Sequence, residues 1–138
     1  MKVKIVYMRI SKNIICTFLV LLISSLASSQ HFEHFEKFIV NEWTLEKHVI
    51  NGHVLPSKEG HENDKMIFTK EFTSKSVSQG VEEIGSWKFD LNSATFSVSS
   101  SRNDFIDFRV LSISENQCVL EMETPQKQKV TLYLKGNK

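Results

Sequence analysis

The chain has 138 residues, room for one domain, with 17 basic and 16 acidic side chains and 41% apolar residues. Lys2, Lys4, Arg9 and Lys12 precede the first acid, Glu33, so residues 30–138 hold thirteen basic residues against sixteen acids, a net charge of −3. No cluster of Lys or Arg remains in that region, which excludes nucleic acid as a partner on electrostatic grounds.

The basic start, the apolar run ICTFLVLLI and the small-residue stretch SSLASSQ come in the order of a secretory signal peptide. Residues 1–29 are therefore expected to direct export, with cleavage after Ala27 or after Ser29 and a secreted or periplasmic product. The run is about half the roughly 20 residues of a membrane-spanning helix, so no stable membrane anchor is expected after cleavage. Cys16 comes after Ile14 and Ile15 rather than a small residue, which argues against a lipid anchor. Cys118 is then the sole cysteine, and no internal disulfide is available. Residues 30–138 must hold together through a core of their own.

In HFEHFEKFIV, Phe32, Phe35 and Phe38 recur every third residue, the spacing of a short helix with an aromatic face. From Trp43 the pattern changes to period two. KMIFTKEFT, GSWKF and ATFSVSS read as strands. In NDFIDFRVLSI, Ile106, Phe108 and Val110 share one face, while Asp107 and Arg109 share the other as a potential pair. Leu111 and Ile113 break that polar face, which predicts cover at that end. Cys118, Leu120 and Met122 alternate with Glu121 and Glu123, and Val130, Leu132 and Leu134 with Thr131, Tyr133 and Lys135. Short strands and short turns predict antiparallel neighbours. Residues 51–64, NGHVLPSKEGHEND, form the longest polar segment and the expected large loop.

The order N-E-W-T-L-E, G-S-W-K-F-D, T-F-S-V and V-L-S-I-S-E-N-Q-C-V-L-E resembles the small secreted lipocalin-like domains of bacteria over roughly residues 35–135. Asn41 stands where their first motif has glycine. Lys135 or Arg109 stands in for the arginine that classical lipocalins lay over the early tryptophan, and no T-D-Y motif is present. The resemblance implies an all-β fold: a small antiparallel up-and-down β-barrel with a short helical turn before its first strand. It implies a small apolar or amphipathic ligand inside the barrel, with Trp43, Leu45, Phe68, Trp87, Phe89 and Phe108 as lining residues. Trp43 alternates with Leu45, and Trp87 with Phe89, so each indole is expected inside as a core plug first and a ligand wall second. The shortness of the chain leaves a shallow or filled interior open.

The sequence has no constellation of a catalyst. His31, His34, His48, His53 and His61 lack the tight Cys/His spacing of a structural zinc site. There is no G-x-S-x-G elbow, and Glu82 and Glu83, being consecutive, point to opposite strand faces. Cys118 reads as a buried small hydrophobe. The expectation is a binding protein without enzymatic activity, cofactor or metal. The alternative is a protein-interaction or inhibitor module with a filled core, meeting its partner through the 51–64 loop.

Overall fold

The computed structural model describes residues 32–100 and 104–138. The export signal expected over residues 1–29 lies outside them. Helix α1 (Phe35–Ile39) leads into nine strands: β1 (Glu42–Ile50), β2 (His53–Pro56), β3 (Lys65–Phe68), β4 (Thr73–Ser78), β5 (Val81–Asp90), β6 (Thr95–Ser99), β7 (Phe105–Ile113), β8 (Gln117–Glu123) and β9 (Lys129–Gly136). Strands β1 and β3 to β9 pair antiparallel in succession, and β1 also pairs with β9, which closes an eight-stranded barrel with β2 as a flap beside it.

The length of β1 permits this closure. Glu42–Thr44 pair with β3, Lys47–Ile50 pair with β2, and the other edge runs along β9 throughout. Closure pairs the edges that an open sheet would expose. A bulge between Leu45 and Lys47 shifts the side-chain phase. Trp43 and Leu45 thus face inward before it, and His48 and Ile50 after it, opposite Leu132 and Val130 of β9.

A second bulge, between Val110 and Ser112, corrects the expected face of Ile113. The extra residue turns Ile113 inward beside Cys118, where it is buried, and leaves Leu111 outside on its own. The Asp107–Arg109 pair is also corrected. Arg109 bonds Glu121 across β7 and β8 at 3.0 Å, and Asp107 accepts a hydrogen bond from Ser97 Oγ at 2.6 Å.

Two local expectations change as well. Residues 51–64 are not one loop. Asn51 and Gly52, with φ of 51° and 80°, make a two-residue hairpin turn into β2, the conformation in which Asn-Gly is favoured. KMIFTKEFT is not one strand but a hairpin. Its turn places Phe72 at φ 63°, a left-handed conformation that costs an L residue roughly 1–2 kcal/mol. Trp87 holds that turn twice, its backbone N–H donating to Phe72 O and its indole N–H to Thr69 O, both at 3.0 Å. The Phe72 ring in turn lies 4.8 Å from the indole.

Helix α1 plugs one end of the barrel. Its buried residues are Phe35 and Ile39, one helical turn apart. Phe35 stacks on Phe89 at 4.0 Å and meets Phe96 at 5.2 Å. Phe96 is the hub of the cluster, with Phe68 at 5.1 Å, Trp87 at 6.0 Å and Phe108 at 6.3 Å. Trp43 is 0% exposed and donates its indole N–H to Ile39 O at 2.9 Å. Opposite it on β9 stands Gly136, where a Cβ would fall 2.6 Å from Glu115 O and 3.3 Å from the indole. Asn41, at the motif glycine position, is a buried staple: Oδ1 accepts from Glu42 N, and Nδ2 donates to Glu115 O. No cation covers Trp43 among the described residues: Arg109 is engaged outside with Glu121, and Lys135 is exposed on the outer face of β9, paired with Thr44 and Gln117.

Trp43→Ala removes a fully buried indole and releases the helix carbonyl, and is expected to lower the unfolding free energy by about 3–5 kcal/mol. Lys88→Ala loses only an exposed contact with the Phe105 ring and is expected to cost no more than about 1 kcal/mol. Urea melts read both; a Trp43→Ala midpoint equal to that of the wild type contradicts the plug.

Candidate functional site

Past the aromatic cluster the inward positions become smaller and more polar. Met66 of β3, Ser74 and Ser76 of β4, Glu83 of β5, Val98 of β6, and Ile106 and Phe108 of β7 succeed one another in register on the inner face. With Ser99 and Ser100 they line a cavity of about 280 Å³. That is near the lower limit of roughly 300–1,000 Å³ for small-molecule sites, the size for one compact molecule.

The mouth lies at the end away from α1. Ile106, Val81 and Leu55 have the phase of inward residues, yet they are 51%, 70% and 42% exposed. Apolar side chains aimed at the barrel axis without cover mark an opening. Gly85 shapes the inner wall. The Ser86 N–H is taken by Ser99 Oγ at 3.0 Å, while the Ser99 carbonyl oxygen sits 1.8 Å from where a Gly85 Cβ would be. Only glycine permits that approach, which brings the β6 backbone at Ser99 against β5 across from Ser74.

Of the six residues expected to line the barrel, Phe108 reaches the cavity. Trp43 belongs to the plug, and Phe68, Trp87 and Phe89 to the aromatic cluster above it. Leu45 is half-buried on the inner face of β1, opposite Leu134. Sequence reasoning missed Met66, Ser74, Ser76 and Val98 as lining. The available signal was the alternation within TSKSVS, where serine takes every second position.

The histidines scatter. His48 faces inward between Leu132 and Leu55, with a buried Nδ1 that has no hydrogen-bond partner among the described residues. His34 and His53 are exposed, and His31 lies outside the described residues. Among the described residues no group of three or more His, Cys, Asp or Glu side chains is placed to hold a metal ion. Burial pushes the Cys118 thiol up to about 12, so it carries no thiolate at neutral pH. Glu82 points outward to Lys75 at 2.7 Å, on the face opposite Glu83.

Outside the barrel, loop residues 57–64 fold against the β4–β5 turn and border a polar groove of about 570 Å³. Asp64 organises the loop. It accepts hydrogen bonds from a His61 ring nitrogen at 2.6 Å, Ser78 Oγ at 2.7 Å and Gln79 N at 2.9 Å. These bonds favour the carboxylate and pull its pKa down from 3.8 to about 2. A depressed folded pKa means the loop's anchorage is complete above pH 3.8 and fades as pH falls through about 2. The Gln79 amide resonance, tracked by NMR from pH 5 downward, is therefore expected to titrate with a midpoint near 2. A midpoint near 3.8, or none, contradicts the network.

Comparison with family models, with curated proteins and with solved structures finds no match to this chain.

Proposed function

We propose that this protein is an exported, lipocalin-like barrel that binds, without transforming it, one small apolar or amphipathic molecule in the open end of the barrel. One observation carries the proposal. The barrel is plugged with aromatic side chains at the α1 end, while the other end holds a cavity of about 280 Å³ whose rim of inward apolar residues is left bare. An eight-stranded barrel is just wide enough to be filled by side chains or to hold one small ligand, and the two ends of this one divide those roles. The leader-like residues 1–29 support export. A second reading, a protein-interaction or inhibitor module, draws support from the 57–64 part of the loop, which Asp64 holds ready for a partner.

Titration with the apolar fluorophore N-phenyl-1-naphthylamine is expected to give saturable one-to-one binding. Val98→Trp fills the cavity and should abolish it. Ile84→Ser, on the outer face, should leave it unchanged, with circular dichroism confirming the fold of each. Absence of saturable binding, or binding untouched by Val98→Trp, contradicts the proposal and favours the interaction module. Export is read separately: the exported protein should begin at Ser28 or Gln30, and an N-terminus at Met1 or Met8 contradicts processing.

A further inference from the structure

Four polar residues are buried in the described structure: Asn41, Ser74, Ser97 and Ser99. Buried polar groups are hydrogen-bonded as a rule, and three of these conform. Asn41 bonds Glu42 N and Glu115 O, Ser97 bonds Asp107, and Ser99 bonds Ser86. Ser74 differs. The residue is 4% exposed, but its hydroxyl opens onto the cavity and makes no side-chain hydrogen bond among the described residues. Two residues along β4, Ser76 faces the same cavity, half-buried and likewise without a side-chain partner there. The two hydroxyls form a short polar stripe running from the depth of the cavity toward its mouth. The rest of the lining is apolar at Met66, Val98, Ile106 and Phe108 and polar at Glu83, Ser99 and Ser100. Gly85 stands across from Ser74, and the Ser99 carbonyl oxygen fills the place its side chain would take.

We infer that the ligand is a compact uncharged molecule with an apolar face and a hydroxyl or carbonyl group, and that Ser74, seconded by Ser76, reads that group. The inference rests on the binding reading proposed above and specifies its ligand. A serine hydroxyl both donates and accepts, so it serves an alcohol or a carbonyl equally. An anion finds no cation to pair with: among the described residues the lining holds no Lys or Arg. Glu83 lines the cavity across from Ser76, nearer the mouth, while the cross-strand neighbour of Ser74 on β5 is Gly85.

The test compares three probes of one shape, 1-naphthol, 1-methylnaphthalene and 1-naphthoate, by titration against the wild type, Ser74→Ala and Ser76→Ala. The wild type should bind 1-naphthol about 3- to 10-fold more tightly than 1-methylnaphthalene, the range of one net hydrogen bond, and 1-naphthoate more weakly than either. Ser74→Ala should erase the preference for 1-naphthol while leaving 1-methylnaphthalene binding in place, which also reports an intact cavity. Ser76→Ala, at a half-buried position, should reduce the preference in part. Equal binding of 1-naphthol and 1-methylnaphthalene by the wild type, a preference that survives both substitutions, or tight binding of 1-naphthoate overturns the inference while the binding reading stands. Failure of all three probes to bind, in every variant, overturns both.

Discussion

The indole N–H of Trp43 donates to the carbonyl of Ile39 in a fully buried bond, and the asymmetry of the barrel depends on it. A helix of five residues is far too short to persist alone. It is held because Phe35 stacks into the aromatic cluster and because Trp43 of the first strand reaches back to its last carbonyl, Ile39 O. Gly136 lies opposite Trp43, and a side chain there would run into Glu115 O at 2.6 Å and crowd the indole at 3.3 Å. Trp43, Ile39 and Gly136 thus form one unit, and the helix end of the barrel is filled rather than open.

With that end filled, the remaining interior is short. Inward residues from five neighbouring strands enclose a small volume, and within two positions the inner face changes from Phe68 to Met66 on β3 and from Phe96 to Val98 on β6. Phe96 and Val98 on β6 show the step clearly: the first is the hub of the cluster, and the second lines the cavity. The floor of the proposed ligand site is therefore the upper surface of the aromatic cluster. Rigidity at the plugged end is what would give such a site a fixed shape.

The sequence exposed much of this architecture. Period-two alternation over Phe105–Val110, Gln117–Glu123 and Lys129–Gly136 matches the strands there, because one face of each meets an apolar interior and the other meets water. The three-residue spacing of Phe32, Phe35 and Phe38 indicates a helix before the first strand, and the helix Phe35–Ile39 is there, with Phe35 and Ile39 as its buried residues. Other features were hidden for identifiable reasons. The bulge after Val110 adds one residue without changing composition, so Leu111 and Ile113 looked alike although they lie on opposite sides of the wall. Phe72 in a left-handed turn gives no turn signal, since a glycine or asparagine normally marks that conformation. The Asn51-Gly52 turn, by contrast, is visible in the letters, but the short exposed strand after it has the composition of a loop. The cavity was the least legible part. Its distinguishing members, Ser74 and Ser76, are inward and polar, and a search for apolar alternation passes over them.

The central claim is that a small apolar molecule enters the barrel from the end opposite α1. Methyl-labelled NMR of the protein saturated with N-phenyl-1-naphthylamine tests it most directly. Nuclear Overhauser contacts are expected from the probe to the methyls of Met66, Val98 and Ile106, which line the cavity, and none to Ile39 behind the plug. Ile84 is the decisive control, since it is 65% exposed but sits on the outer face of β5. Contacts to Ile84 or Ile39 in place of Val98 and Ile106 would contradict the account.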